Sequence, residues 1–276
     1  MSGTVLITGT SSGLGLATAK VFHARGWNVI ATMRAPEDGK ELASLERTLV
    51  ARLDVQDPSS IAGAVRQGID EFGKIDVLVN NAGYGAYGPL EATPAEEIRR
   101  QFDVNVFGPL STIKALLPHF RANRSGVIVN ISSIGGLVAF PLGSLYHGSK
   151  FAIEGLSEAL AYELTPIGVR VKLVEPGMIA TDFGGRSLAF SNDRSLAEYQ
   201  PTVQAVMQAF AAAIIQASKP EAIAEVVYVA ATDDGPKVRF VAGEDAQRLS
   251  EGRRTTDEAA FMGQIRTAFG LTSDLT

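Results

Sequence analysis

The sequence predicts an α/β protein built as a single doubly wound Rossmann domain, with a mostly parallel seven-stranded sheet and helices on both faces. Short apolar segments rich in β-branched residues alternate with helical patterns almost from the first residue. The apolar segments carry hydrophobic residues on both faces, which is typical of strands covered on both sides. The chain shows no internal repeat, low-complexity stretch or linker. We therefore expect one domain over residues 1–276 rather than two small ones.

The alternation sets the order of the expected elements. The predicted strands are residues 4–8, 27–32, 48–55, 75–80, 126–132, 169–175 and 237–243. The predicted helices are residues 14–25, 38–46, 59–72, 94–119, 145–165 and 221–232.

Two segments depart from this rhythm. Residues 182–216 follow a strand end, begin as a loop and then become helical. A long insertion there usually covers the ligand crevice, so we expect a substrate lid, with a plain surface loop as the alternative. Phe183, Leu188 and Phe190 favour the lid because a solvated loop rarely carries so many apolar side chains. Residues 250–276 are expected to form a C-terminal extension.

Composition excludes several classes of protein. The net charge is −5, so the basic surface of a nucleic-acid-binding protein is absent. The chain has no cysteine, which excludes disulfides and thiolate metal sites, and we predict no metal site. The first residues lack the pattern of a signal peptide, and no apolar run is long enough to span a bilayer. A cytoplasmic protein without a membrane span is expected.

A glycine-rich turn, Thr-Gly-Thr-Ser-Ser-Gly-Leu-Gly, occupies residues 8–15 between the first strand and the first helix. Gly9 permits a tight turn, and Gly13 lets the backbone approach a phosphate. Gly15 opens the helix, whose N-terminus attracts a pyrophosphate. The turn therefore favours a dinucleotide site, with an ordinary βα loop as the alternative. We include the neighbouring residues of the turn in that site: Ser11, Ser12 and Leu14.

The same turn also matches Gly-x-Ser-x-Gly, the nucleophile elbow of α/β-hydrolases. That chemistry needs a histidine downstream, usually late in the chain. The histidines of this sequence are His23, His119 and His147, and none lies in the C-terminal part where that fold supplies its base. The elbow would also precede the strands that normally come before it. The hydrolase alternative is therefore disfavoured.

The end of the second strand indicates which dinucleotide is bound. A NAD site would place an acidic residue here, whereas this sequence has Met33 and then Arg34. A guanidinium can pair with a 2′-phosphate, so NADP(H) is favoured over NAD(H). Asp54, followed by Val55 at the end of the third strand, is expected to meet the adenine. The alternatives are a surface charge for Arg34 and a turn-capping role for Asp54.

A tyrosine and a lysine, Tyr146 and Lys150, stand four positions apart and so share one helix face. A nearby ammonium favours the phenolate and lowers the tyrosine pKa, which suits an acid/base at neutral pH. Ser133 follows a strand of buried type, at the edge where α/β ligand sites form. Asn105 lies within a predicted helix, where its amide has low propensity. It is interpreted either as a buried amide bonded to a backbone carbonyl or as a helix kink that holds a water against Lys150.

These motifs together resemble the short-chain dehydrogenase/reductase family. The segments TGTSSGLG, NNAG (80–83), the Asn105 helix, ISS and YHGSK occur in the family's order and spacing over residues 3 to about 185. The gap of thirteen residues before Tyr146 selects Ser133 as the family's serine. The segments ATMR, GPLE and VAGEDA are similar to the NADP-preferring hydroxysteroid- and retinol-dehydrogenase-like branch.

The resemblance implies a role for each residue. Tyr146 would exchange the hydroxyl proton, Ser133 would hydrogen-bond the substrate oxygen and Lys150 would hold the nicotinamide ribose. Asn105 would anchor a water of the proton relay. Further cofactor contacts implied by the family are Asn81, Ala82, Gly83, Pro176, Gly177 and Thr181, besides Tyr146 and Lys150 themselves.

The expected activity is hydride transfer between NADP(H) and the carbonyl or secondary alcohol of a hydrophobic small molecule. The expected pocket walls are mostly apolar: the lid and Tyr84, Tyr87, Phe140, Leu142 and Met178. A non-catalytic NADP(H)-sensing regulatory protein is the alternative, although the complete set of four catalytic-type residues argues against it. The family's pairing of the helices predicted at 94–119 and 145–165 implies a homodimer or homotetramer, an interface that the tail could block.

Overall fold

The computed structural model describes residues 3–181 and 187–271, and its strands confirm the predicted fold class. The strands are β1 (Thr4–Thr8), β2 (Asn28–Met33), β3 (Thr48–Arg52), β4 (Val77–Asn80), β5 (Gly85–Tyr87), β6 (Gly126–Ile131), β7 (Val169–Pro176), β8 (Leu188–Phe190) and β9 (Arg239–Ala242). All seven predicted strands are present, with ends shifted by up to three residues.

These seven strands form one sheet in the order β3-β2-β1-β4-β6-β7-β9. Every neighbouring pair in it is parallel. The strand order changes direction between β1 and β4, which opens a crevice at the carboxyl edge of the sheet. This crevice is the place where the predicted motifs meet.

The helices connect the strands and cover both faces of the sheet. They are α1 (Gly13–Ala24), α2 (Lys40–Ala43), α3 (Pro58–Phe72), α4 (Ala95–Phe102), α5 (Gly108–Asn123), α6 (Ser144–Leu164), α7 (Gln200–Ala213), α8 (Pro220–Thr232), α9 (Glu244–Thr255) and α10 (Glu258–Ala268). The helix predicted at 94–119 is interrupted by a π-helical turn at Asp103–Phe107. The predicted C-terminal extension contains α10 and the second half of α9. No helix of the described part of the chain is long and apolar enough to cross a membrane.

Two apolar clusters sandwich the sheet because successive strand residues point to opposite faces. Val5 and Ile7 pack into the cluster with α1 and α8, which contains Phe22. Leu6 packs into the opposite cluster with α3 and α5, which contains Phe120. The strands therefore read as continuous apolar runs in the sequence.

A second, two-stranded parallel sheet pairs β5 with β8, in the register Gly85↔Leu188 to Tyr87↔Phe190. It joins the loop after β4 to the segment that follows β7. The sequence analysis did not predict either strand. Both lie beside the crevice and border the candidate site.

Candidate active site

A cavity of about 1570 Å³ opens at the carboxyl edge of the central sheet. Segments that follow β1, β2, β3, β4, β6 and β7 line it. It brings together all the predicted site residues except Asn105, namely Gly9, Ser11, Ser12, Gly13, Leu14, Gly15, Arg34, Asp54, Val55, Asn81, Ala82, Gly83, Ser133, Tyr146, Lys150, Pro176, Gly177 and Thr181.

The glycine-rich turn is held in a shape that favours glycine. Gly9 and Gly13 have φ of 71° and 56°. A Cβ on Gly15 would lie 2.1 Å from the carbonyl oxygen of Gly9. The Asn81 side chain donates to the carbonyls of Thr8 and Gly9, at 2.9 and 3.0 Å. Asn81 thus holds the turn from the neighbouring strand, a role that its position in NNAG did not reveal.

This turn and its surroundings fit a dinucleotide. Ser12 precedes α1 without a side-chain cap, which leaves N–H groups of the first turn available to an anion. A Cβ on Gly13 would come within 3.4 Å of Thr181, so a side chain there would narrow the cleft. The exposed Arg34 faces the cavity and makes no ion pair within the described ranges. Asp54 also lines the cavity, while one of its oxygens accepts from the Gln56 N–H at 3.0 Å, as the turn-capping alternative expected.

The predicted serine, tyrosine and lysine meet at the end of β6. The Ser133 hydroxyl hydrogen-bonds the Tyr146 hydroxyl and accepts from the Gly135 N–H at 2.9 Å. Lys150 Nζ donates to the carbonyl of Ile131 at 2.9 Å and lies 5.8 Å from the centroid of the Tyr146 ring. The phenol and the ammonium therefore share one wall of the cavity.

The pKa values of this pair correct one expectation. Burial raises the pKa of Tyr146, and the hydrogen bond with Ser133 opposes this rise. Burial also lowers the pKa of Lys150 to about 8, against the charge of Glu154. The expectation that the pKa of Tyr146 is lowered was wrong for this set of groups, because burial raises it more than the hydrogen bond with Ser133 lowers it. At neutral pH the pair is a neutral phenol beside an ammonium, which is a proton-donating state.

Asn105 lies on the π-helical turn, so the predicted irregularity of this helix is present. Its buried amide accepts from the Tyr84 N–H at 3.1 Å and donates to the Tyr84 carbonyl at 2.8 Å. The same amide reaches the hydroxyl of Ser149 at 3.2 Å. The side chain thus ties the loop after β4 to α6, as the structural alternative expected. Its part in a water relay stays a prediction.

The site is also positioned by two residues to which the sequence analysis gave no role. His147 Nε2 accepts from the Phe140 N–H at 3.0 Å, so its Nδ1 carries the proton and donates to Gly135 O at 2.8 Å. It thereby fixes the loop that follows Ser133 against α6. Asp245 accepts from the Met178 N–H at 2.7 Å. Gly177 is needed beside it, since a Cβ there would lie 2.1 Å from the carboxylate.

Aromatic rings border the cavity around Tyr146. Centroid distances are 5.4 Å from Tyr146 to Tyr87, 5.6 Å from Tyr87 to Phe210 and 5.6 Å from Phe210 to Phe269. Phe269 is 5.7 Å from Phe140, which is 5.3 Å from His147. We call these six residues the aromatic border. They come from four separate parts of the chain.

The predicted walls are mostly in place. Tyr84, Tyr87, Phe140 and Met178 line the cavity, whereas Leu142 does not. Leu142 has a φ of 62°, and its carbonyl accepts from the Gly88 N–H at 2.8 Å. Its role is therefore in the turn.

The predicted lid borders the cavity through β8 and α7, including Leu188, Phe190 and Phe210. Residues 182–186, with Phe183, lie outside the described residues. The C-terminal extension also reaches the cavity, through Ile265 and Phe269. Residues 272–276 of the extension are likewise outside the described part.

Comparison with known proteins gives the family. Residues 3–191 match the family model described as short chain dehydrogenase. The chain is similar to an uncharacterised oxidoreductase of Schizosaccharomyces pombe, with 45% identity over 239 residues, covering 87% of this chain and 100% of that protein. It is also similar to human retinol dehydrogenase 8, with 40% identity over 225 residues, covering 78% of this chain and 70% of the relative.

Solved structures agree with this. A short-chain dehydrogenase from Streptomyces avermitilis has a TM-score of 0.82 at 35% identity, covering 99% of this chain and 100% of its own. A short chain dehydrogenase from Burkholderia cenocepacia in complex with NADP has a TM-score of 0.76 at 26% identity, covering 99% of each chain. A 3-ketoacyl-(acyl-carrier-protein) reductase from Brucella melitensis complexed with NADH has a TM-score of 0.72 at 26% identity, covering 87% of this chain and 97% of its own.

Fold, site and relatives together define a nicotinamide-dependent oxidoreductase. The chain belongs to the short-chain dehydrogenase family.

Proposed function

We propose that the protein transfers hydride between NADP(H) and the carbonyl or secondary alcohol of a hydrophobic small molecule, with Tyr146 as the acid/base. The observation that carries this proposal is the pair of hydrogen-bonded hydroxyls, Tyr146 and Ser133, in a cavity bordered by aromatic rings. Lys150 lies one helical turn from the tyrosine. This arrangement suits proton transfer to an oxygen in apolar surroundings.

The chain's own residues fit the cofactor. The N-terminus of α1 and its glycines would hold the pyrophosphate, and Arg34 would pair with the 2′-phosphate of NADP. Lys150 would hold the nicotinamide ribose, with Pro176, Gly177 and Thr181 at the carboxamide. When bound, the cofactor supplies or accepts the hydride. Solved relatives hold either NADP or NADH, and Arg34 is the feature that supports NADP here.

The protein groups would handle the proton and the charge on the substrate oxygen. During reduction, the neutral Tyr146 phenol donates its proton to that oxygen, while the Ser133 hydroxyl donates a hydrogen bond to it. The Lys150 ammonium stabilises the phenolate that remains, and it keeps its charge below a pH of about 8. In the oxidation direction the same proton returns to Tyr146.

The substrate side of the cavity supports a hydrophobic substrate. Tyr87, Phe140, Phe210 and Phe269 line the cavity beside Tyr146, and a charged group placed among them would lose its hydration without a partner. A relative named for retinol is consistent with this chemistry. The proposal also includes a lid role for residues 182–216, a single domain and a cytoplasmic location.

A homodimer or homotetramer completes the proposal. Phe107, Phe151 and Tyr162 are exposed hydrophobic residues of the π-helical turn and of α6. An apolar surface of this kind favours burial against a second copy of the chain.

The test measures NADPH oxidation over a panel of apolar ketones and aldehydes, for the native protein and for Tyr146→Phe. We expect Tyr146→Phe to lose about 10²–10⁴-fold in kcat, since it removes the acid, while NADPH binding followed by fluorescence is retained. The matched control is Tyr162→Phe on the same helix, which should keep full activity. Undiminished turnover by Tyr146→Phe would overturn the mechanism. NADPH binding without turnover of any compound would favour the sensing alternative.

A further inference from the structure

A buried carboxyl group lies one helical turn from Lys150 and interacts with a second buried carboxyl group, and the mechanism above uses neither. Glu154 is on α6, one turn beyond Lys150, and is 5% exposed. Glu175 is near the end of β7 and is 0% exposed. Carboxylates are rarely buried without a partner, because the loss of hydration is costly.

One guanidinium serves both carboxyl groups. Arg239 Nε donates to Glu154 at 3.0 Å and lies 3.5 Å from Glu175. Its Nη2 pairs with the half-exposed Glu158 at 2.7 Å. The remaining oxygens of Glu154 and Glu175 have no well-formed hydrogen bond within the described residues, although the two carboxyls and the Ser132 hydroxyl are close enough to interact.

Arg239 is the cation in direct contact with both buried carboxyl groups, and it is shared with Glu158, so the pair keeps a proton at neutral pH. Burial and the charge of Glu154 raise the pKa of Glu175 to about 8, against Arg239 and Lys237. Burial also raises the pKa of Glu154, against its hydrogen bonds with Ser132 and Arg239. The shorter contact with Arg239 assigns the negative charge to Glu154 and the proton to Glu175.

We propose that Glu154, held ionised by Arg239 while Glu175 keeps the proton, is a positioning residue that stabilises the ammonium form of Lys150. Glu154 stands four residues beyond Lys150 on α6, so the two side chains share one helix face, and its charge favours protonated Lys150. Tyr146 faces Lys150 from the same helix and is neutral near pH 7, and Tyr87 of β5 faces Tyr146 and is also neutral. Without Glu154, the lowering of the Lys150 pKa by burial would not be opposed. The effect on turnover rests on the proposed function, whereas the effect on Lys150 does not.

The experiment is a pH titration of the lysine ε-carbons by ¹³C NMR in the full chain without cofactor, with the Lys150 signal assigned through Lys150→Arg. We expect the Glu154→Gln substitution to move the Lys150 midpoint about one pH unit lower, because an opposite charge nearby is removed. Glu154→Asp, which withdraws the charge by one methylene, should give a smaller shift in the same direction. It keeps the test open if Glu154→Gln does not fold.

Two matched substitutions separate charge from disruption. Glu175→Gln imitates the protonated acid, and Glu158→Gln removes the outer partner of Arg239. Both should leave the Lys150 midpoint where it lies in the native protein. An unshifted midpoint in both Glu154 variants would overturn the proposal. The proposal would also be overturned if Glu175→Gln shifted the Lys150 midpoint and Glu154→Gln did not, since the negative charge would then lie on Glu175.

Turnover gives a second readout that distinguishes the two proposals. In Glu154→Gln, the loss of ketone reduction on raising the pH should begin about one pH unit earlier than in the native protein. One outcome is that the native protein reduces ketones while the Lys150 midpoint stays unshifted in the Glu154 variants. That result would leave the proposed function intact and overturn only this inference. Native protein without turnover but with the expected NMR shift would do the reverse.

Discussion

The two sides of the cavity are built in different ways. The side that fits the dinucleotide is shaped by backbone: positive-φ glycines, an uncapped helix start and the Asn81 amide that clamps the turn. The side around Tyr146 that would receive substrate is shaped by side chains, the aromatic border, from four separate parts of the chain. A backbone-built surface tolerates few substitutions, whereas a surface of packed rings can change its shape through single residues. The first side fixes the chemistry and the second can vary the substrate.

The largest expected effect breaks the backbone-built side. Gly15→Ala places a Cβ 2.1 Å from the Gly9 carbonyl oxygen, so the turn must move. We expect a loss of about 1–3 kcal/mol in the free energy of unfolding and about 10–100-fold weaker NADPH binding. Chemical denaturation and fluorescence titration measure the two. The control is Gly63→Ala in α3, where the Cβ meets open space and the change should be neutral or stabilising. Native-like NADPH affinity in Gly15→Ala would show that the turn does not form the site.

A smaller effect sharpens the assignment of the adenosine end. Arg34→Ala removes the exposed guanidinium that faces the cavity. We expect NADPH to bind about 10-fold more weakly, since a charge-assisted contact is lost, with NADH binding unchanged. Arg66→Ala, on the exposed face of α3, is the control. Equal losses for the two dinucleotides would remove the argument for NADP.

The substrate side should respond in KM rather than in folding. Phe269→Ala removes a half-buried ring of the aromatic border. We expect about a 5-fold rise in KM for apolar ketones, with a smaller change in kcat. Steady-state kinetics measures both constants. Met262→Ala, exposed on α10 and away from the cavity, is the control. An unchanged KM would place the C-terminal extension outside the substrate site.

The smallest effect concerns acid stability. Burial lowers the pKa of His147 below its ordinary 6.5. The unfolded chain therefore binds a proton more readily, so this stabilisation is full above pH 6.5 and is lost as the pH falls through the folded pKa. In His147→Gln the fall in Tm between pH 7.5 and 5 should be smaller than in the native protein, because no buried imidazole has to be protonated. Thermal unfolding at each pH measures it. An identical acid loss in both proteins would mean that His147 does not titrate in this range.

The seven strands of the central sheet could be predicted because each is apolar on both faces. The three-residue strands β5 and β8 could not, since their pairing joins segments about 100 residues apart and leaves no periodic signal. Helix α9 was missed because it is strongly polar, with only Ala246 buried. The motifs located most of the site, but the direction of the Tyr146 pKa depends on burial in three dimensions, which no motif records.

The pairing of β5 with β8 restricts how the cavity can admit a ligand. Ala86 of β5 donates its N–H to Gln101, whose side chain also bonds the Tyr84 carbonyl. Main-chain hydrogen bonds thus hold the start of the segment at 187–216 against β5, which Gln101 fixes in turn. The far end meets the C-terminal extension through side chains, as where Phe210 touches Phe269. Separating two rings costs less than breaking the main-chain hydrogen bonds of a strand pair, so we expect the contact of Phe210 with Phe269 to open before the pairing of β5 with β8 does.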